Sequence, residues 1–228
     1  MRSVRHLELH RLEFSWISDV INSVLAFSEL SSIVTENINW RSYSFDKFLD
    51  DYPQHEDRGK LIIATLCYDR YVCGMSHALS NTLVDLRLIP SAFPSSFRLG
   101  RPTVHPAHLP KLETLSIAIP SMDGYELIHD LLLHLDAPRL HSIELQHAFR
   151  DYPRYQCDSM LKLLDTWFGP IFANPARVFP ALKSITIAFP DFAWKENDSW
   201  WSEKIADVFP QCSGRNMLHV RIDRTQYN

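Results

Sequence analysis

With 228 residues, 46% of them hydrophobic and 12% aromatic, the chain has ample material for a buried core, so a disordered linker or tail is excluded as its general character. Its 23 Lys and Arg are dispersed among 27 Asp and Glu, a formal net charge of −4, which removes the dense basic surface that phosphate binding demands. No run of about 18 apolar residues suggests a membrane span, and Arg2, Arg5, Glu8 and Arg11 interrupt any signal-peptide stretch, so a cytoplasmic or nuclear protein is expected.

In chain order, Val4-Arg-His-Leu7-Glu-Leu9 reads as a short strand, with alternate apolar residues entering a core. Ser15 to Phe27 places Trp16, Ile17, Val20, Ile21, Val24 and Leu25 on one face of an amphipathic helix. Leu30-Ser-Ser-Ile33-Val-Thr35 is a looser strand. Helices are assigned near Phe45 to Tyr52 and from about Lys60 to Leu79, and Leu83-Val-Asp-Leu86-Arg-Leu88 is a strand again.

A phrase then occurs three times: Pro110-Lys-Leu-Glu-Thr-Leu-Ser-Ile117, Pro138-Arg-Leu-His-Ser-Ile-Glu-Leu145 and Pro180-Ala-Leu-Lys-Ser-Ile-Thr-Ile187. Each holds an L-x-x-L-x-L frame, and its proline both blocks the preceding helix and biases the backbone toward extended geometry. Helices are expected between the phrases: Asp123 to Leu135 (Leu127, Ile128, Leu131, Leu132 and Leu135 on one face), Asp158 to Phe168 stopped by Gly169-Pro170, and Asp198 to Phe209 stopped by Pro210. Met217-Leu-His-Val220-Arg-Ile222 is the last strand.

Self-similarity at this scale signals stacked supersecondary units. The fourth frame positions, Leu7, Ile33, Leu86, Leu115, Ile143, Ile185 and Val220, are separated by 26, 53, 29, 28, 42 and 35 residues. The 53 is close to two units, so a further strand is expected inside it. A doubly wound sheet also alternates strands and helices, but its buried strands read as continuous apolar runs, whereas these carry polar residues such as Glu144 and Thr186 at alternate positions. The expected fold is therefore α/β: one irregular leucine-rich-repeat solenoid over 1–228, of about six to seven repeats, with parallel strands on the concave face and helices on the convex face.

Chemistry-bearing motifs are few. Six glycines leave little room for a phosphate loop, and Gly74-Met-Ser76-His77 lacks the second glycine of a nucleophile elbow and reads as helix. Cys67, Cys73, Cys157 and Cys212 show no C-x-x-C pairing and are expected as reduced core residues. Asn197-Asp198-Ser199 is better explained as a helix cap than as a glycosylation site. His6, Glu8 and His10 alternate on the outward face of the first strand, the one conceivable metal site, with no fourth ligand indicated. His105, His108, His129 and His134 read as surface or capping residues. No catalytic residue, cofactor or metal is assigned.

The phrases Leu-Pro-Lys-Leu-Glu-Thr-Leu-Ser-Ile, Ala-Pro-Arg-Leu-His-Ser-Ile-Glu-Leu and Phe-Pro-Ala-Leu-Lys-Ser-Ile-Thr-Ile, with Ala78-Leu-Ser-Asn-Thr-Leu-Val-Asp-Leu-Arg-Leu88, resemble the repeats of fungal F-box/leucine-rich-repeat proteins over about residues 80–222. The resemblance implies a curved α/β solenoid that presents substrates to a cullin-based ubiquitin ligase, with adaptor docking supplied by a separate F-box. Two departures stand out. The turn asparagine of regular repeats is replaced by Leu12, Ser91, Pro120, Ala148 and Pro190, so uneven curvature is expected. No F-box-like segment precedes the first strand, and neither terminus shows a clear cap, so either a longer polypeptide or a second chain is expected to cover the N-terminal end.

These readings converge on a non-catalytic protein-interaction module, with an F-box-less scaffold or decoy as the alternative and a metal-dependent enzyme as the third reading. Residues flanking the fourth frame position point away from the core, which nominates His6, Glu8, Asp85, Arg87, Thr114, Ser116, Ser142, Glu144, Ser184, Thr186, His219 and Arg221 as the protein-binding surface. The expected partner is a protein on the concave face; a ligase adaptor is expected only if an F-box lies upstream, and neither nucleic acid nor membrane is expected.

Overall fold

The computed structural model describes residues 4–14, 19, 23–24, 26–36, 39–40, 62–68, 82–90, 107–119, 121, 124–147, 157–190 and 198–223. In order along the chain these form β1 (His6–His10), β2 (Glu13–Phe14), β3 (Ser32–Glu36), β4 (Asn39–Trp40), β5 (Ile63–Tyr68), β6 (Asp85–Pro90), β7 (Ala107–His108), β8 (Thr114–Ile119), α1 (Gly124–His134), β9 (Leu135–Asp136), β10 (Ser142–His147), α2 (Cys157–Ala173), α3 (Pro175–Val178), β11 (Ser184–Pro190), α4 (Asp198–Val208), α5 (Pro210–Ser213) and β12 (Leu218–Asp223). The class is α/β, and the chain divides into two compact units.

The first unit comprises residues 1–113 and 134–138. Within it β1, β3, β5 and β6 lie side by side in chain order, each parallel to its neighbour. One inward row is Leu7, Ile33, Ala64 and Leu86, in register across the four strands; Ile33 and Ala64 are fully enclosed and Leu86 nearly so. Two small pairs, β2 with β4 and β7 with β9, are also parallel.

The second unit comprises residues 114–133 and 139–228. Here β8, β10, β11 and β12 are likewise parallel and in chain order. Leu115, Ile143, Ile185 and Leu218 form one inward row, and Ile117, Leu145, Ile187 and Val220 the next. Helix α1 buries Tyr125, Ile128 and Leu132, and α2 buries Met160, Leu161, Leu164, Phe168, Ile171 and Phe172. An unbroken chain of ring contacts runs through this core: Phe209, Phe172, Phe168, Tyr125, His147, Phe189, Trp201 and Trp200.

Two hydrogen-bonding devices recur. Before β3, β8 and β11 the chain makes the same tight turn, in which Leu30, Leu112 and Leu182 donate to the carbonyls of Phe27, Leu109 and Phe179, each at 3.1 Å. Pro110 and Pro180 occupy the second turn position, whose φ a proline ring already supplies. Their role is thus to close a turn, with a buried leucine on its far side, rather than only to stop a helix. In the second device one carbonyl accepts two consecutive amides from the next strand's entry. Arg5 accepts from Ser31 and Ser32, Ser31 from Ile62 and Ile63, Ile62 from Val84 and Asp85, and in the second unit His141 from Lys183 and Ser184.

Three assignments from sequence change. The helix expected from about Lys60 to Leu79 is a strand over Ile63–Tyr68; the strand hidden in the 53-residue interval is this one, with Ala64 at its fourth frame position. An apolar run carries no period, so sequence pattern alone does not separate buried strand from helix. The Gly169-Pro170 stop lies inside α2, which continues to Ala173. An interior proline costs about 3 kcal/mol, but the last turn buries Ile171 and Phe172 to 1% exposure, and each such side chain returns about 1.5–3 kcal/mol. In β12 the partner of Ile185 is Leu218, and Val220 faces Ile187, so the frame sits two residues earlier than its apolar pattern suggested. A shift of two leaves every side chain on the same face.

Of the first expected helix, Asp19, Ser23 and Val24 are helical, with the Ser23 hydroxyl donating to the Asp19 carbonyl at 2.7 Å. The helix expected at Phe45 to Tyr52, the Gly74–His77 segment, Cys73, His105 and the Asn197 cap lie outside the described residues. Cys157 and Cys212 are buried and not joined in a disulfide; burial pushes the Cys212 thiol up, and its Sγ donates to the Phe172 carbonyl at 3.1 Å.

Candidate functional site

Because side chains alternate along a strand, the register that sets the inward rows also sets the outward ones. In the first unit, one row is His6, Ser32, Ile63 and Asp85, the next Glu8, Val34, Thr65 and Arg87, and a third begins with His10 and Glu36. The four residues nominated from sequence in this unit, His6, Glu8, Asp85 and Arg87, therefore share one face. Sequence reasoning missed the middle of it. Ser32 and Val34 flank Ile33 and were legible from the frame already recognised there; Ile63 and Thr65 were hidden by the helical reading of β5. Ile63 is 46% exposed although apolar.

Along β1 and β3 the polar side chains form a hydrogen-bonded line. The Ser32 hydroxyl meets His6 Nδ1 at 3.0 Å, His6 Nε2 meets Glu8 Oε1 at 2.8 Å, Glu8 Oε2 meets His10 Nε2 at 3.2 Å, and His10 Nδ1 meets Glu36 Oε2 at 2.9 Å. Carboxylates only accept, so both His10 nitrogens are called on to donate; hydrogen bonds to Glu8 and then Glu36 raise its pKa. Hydrogen bonds from His6 and His10 hold the Glu8 carboxyl below its ordinary value. The backbones of His6 and His10 are four residues apart on an extended strand, roughly 13 Å at 3.3 Å per residue, and the two rings converge on the Glu8 between them, each taking a different oxygen. Among the described residues no His, Cys, Asp or Glu group is arranged to hold a metal ion.

The outward rows of the second unit are Thr114, Ser142 and Ser184; then Ser116, Glu144, Thr186 and His219; then Ala118, Gln146, Ala188 and Arg221. All eight residues nominated here lie on this face. Arg221 reaches across β11 to Glu144, with Nη2 donating to Oε1 at 2.5 Å, and its Nε donates to Asp223 Oδ1 at 2.6 Å. Ala188, the β11 residue in register with Arg221, carries only a methyl group to obstruct this diagonal span, while Thr186 is the residue opposite Glu144. Gln146 Nε2 donates to the same Glu144 oxygen at 2.7 Å. The Asp223 hydrogen bond, helped by the charges of Glu144 and Asp223, raises the Arg221 pKa. On β8, Thr114 and Ser116 are half-buried, and their hydroxyl oxygens are enclosed with no hydrogen-bond partner among the described residues. Glu144 and Arg221 were recognisable from sequence; Gln146 and Asp223, two residues further along each strand, lie beyond the positions that flank the fourth frame residue.

A polar residue unforeseen in the core is His147. It is 3% exposed and stacks on Phe189 at 4.7 Å with an interplanar angle of 20°. Nδ1 lies 3.2 Å from the Ala188 carbonyl, which can only accept, so Nδ1 carries the proton and Nε2 accepts from the Tyr125 hydroxyl at 2.7 Å. Desolvation lowers its pKa to about 4, against a raising contribution from the Ala188 hydrogen bond. Among the other histidines, His108 pairs with Asp136 at 2.6 Å, and His129 packs against Trp167 with ring centroids 5.4 Å apart.

No protein-family model matches the chain, and neither a curated protein nor a solved structure gives a significant match. No described helix is long and apolar enough to cross a membrane.

Proposed function

We propose that the chain is a non-catalytic protein-interaction module, an irregular leucine-rich-repeat array whose outward strand face receives a protein partner. The observation that carries this reading is recurrence: parallel strands in chain order, entered through the same tight turn and the same two-amide carbonyl, in each unit. Such repetition sets outward side chains in rows whose identities can vary without disturbing the inward rows of Leu and Ile, the physical basis of a recognition surface. The resemblance to substrate-recognition repeats of F-box receptors points the same way. Docking to a ligase adaptor is expected only where an F-box accompanies the repeats.

Simultaneous replacement of Arg87 and Glu144 by Ala tests this. Both lie on outward faces, so the fold should survive while recognition suffers. Partners captured from lysate and quantified against wild type should fall by about tenfold, equivalent to 1.4 kcal/mol, with an unchanged far-UV circular dichroism spectrum. Unaltered capture by the folded double variant would remove the outward face from the account.

A further inference from the structure

The first unit's outward face has an apolar centre and a charged margin. Val34 and Ile63 are diagonal neighbours on β3 and β5, and Ile63 is 46% exposed, an unusual position for so large an apolar side chain in the middle of a parallel sheet. Around them stand His6, Glu8 and Glu36 on one side and Asp85 and Arg87 on the other. This is the layout of a protein-binding patch, an apolar anchor point inside a polar rim.

Charge selects the occupant. The described residues of this face carry three carboxylates, Glu8, Glu36 and Asp85, against the guanidinium of Arg87 and the His10 ring that donates from both nitrogens, which leaves one negative charge in excess. The Glu8 and Glu36 side chains are 55% and 53% exposed, so an arriving cation meets them without a large desolvation cost. Both are also held in place, Glu8 between two imidazoles and Glu36 against His10. A pre-ordered carboxylate loses less side-chain freedom on binding than a free one.

We infer that this face binds a protein segment in which an apolar side chain, seated on Val34 and Ile63, is flanked by lysine or arginine side chains that pair with Glu8, Glu36 and Asp85. The inference rests on the proposed recognition role and specifies its partner's chemistry. An acidic segment would face like charge, which costs affinity and slows encounter.

The test uses the full chain and two fluorescein-labelled decapeptides, one with two central leucines between lysines and one with glutamate in place of every lysine, read by fluorescence anisotropy at low salt. The lysine peptide should bind at least about tenfold more tightly than the glutamate peptide. Ile63→Ser and the double variant Glu8→Gln/Glu36→Gln should each weaken it by roughly tenfold. Asp207→Asn, which removes an exposed carboxylate from α4 and so makes the net charge less negative by one without altering a residue of the face, should leave it unchanged.

Absence of binding by the lysine peptide would overturn the inference. So would binding that Asp207→Asn weakens as much as Glu8→Gln/Glu36→Gln does, because that is attraction by net charge alone. A preference for the glutamate peptide that Ile63→Ser abolishes would overturn the cationic partner while leaving protein recognition by this face standing. The capture experiment with Arg87 and Glu144 reports on that broader reading independently.

Discussion

Phe189→Ala is expected to destabilise the protein by about 3–5 kcal/mol, a large share of the roughly 5–15 kcal/mol that holds a domain folded. Phe189 is fully enclosed and sits between two rings, His147 at 4.7 Å and Trp201 at 4.3 Å, both nearly parallel to it. Removing it opens a cavity whose walls belong to two different elements, β10 and α4, and neither can collapse inward without breaking its own contacts. The loss also reaches the His147 hydrogen bonds, since the ring is held in its plane by Phe189 on one side and by Tyr125 and the Ala188 carbonyl at its edge. Urea unfolding followed by tryptophan fluorescence checks the figure, because Trp201 reports on the same stack. A cost below about 1 kcal/mol, the level of an exposed substitution, would contradict the buried placement of Phe189.

Stability should also fall as the solution is acidified, with His147 as the source. Its pKa is depressed to about 4 in the folded chain and returns to the ordinary value of 6.5 on unfolding. Between those values the unfolded chain binds a proton that the folded chain refuses, so stability is complete above pH 6.5 and is lost as pH falls toward 4. At about 1.4 kcal/mol per unit the full loss is roughly 3 kcal/mol. His10 acts in the opposite direction, since its raised pKa favours the folded state at low pH, but it is solvent-exposed and screened. Denaturation midpoints measured between pH 7.5 and 4.5 should decline for wild type and flatten across this window for His147→Gln. An equal slope in both proteins would show that His147 does not sit neutral in the core.

How far the sequence reveals these features depends on the contrast each strand offers between its two faces. β8, β10 and β11 are legible because Leu115, Ile143 and Ile185 alternate with Thr, Ser and Glu, and because proline marks each entry. β5 is not legible, since Leu61-Ile-Ile-Ala-Thr-Leu66-Cys67 is apolar on both sides: Ile63 breaks the alternation and Ala64 replaces the large residue of the frame. The feature that hides the strand is also the one that leaves a large apolar side chain on its outer face. In β12, Leu218 and Val220 are both apolar, and a shift of two conserves parity, so pattern alone leaves the register open.

Local signals failed where packing outweighed them, as at Gly169-Pro170, which Phe168, Ile171 and Phe172 carry through in helix. His147 shares parity with Ile143 and Leu145 and could have been placed in the core by counting alone; its polarity argued otherwise until Tyr125 and Ala188 were seen to satisfy both ring nitrogens. Most of the nominated face was readable by the same parity rule. The ties across it, from Arg221 to Glu144 and from His10 to Glu36, link residues 77 and 26 positions apart and required the register.

Register decides which side chains face outward, because a slip of one residue would carry every outward side chain into the core. Interstrand nuclear Overhauser contacts in a deuterated, amide-protonated sample measure it directly. The account predicts parallel-sheet contacts that pair Ile33 with Ala64 and Ala64 with Leu86 in the first unit, and Leu115 with Ile143 and Ile143 with Ile185 in the second. Contacts displaced by one residue, an antiparallel pattern, or helical contacts through Ile63–Tyr68 would contradict it.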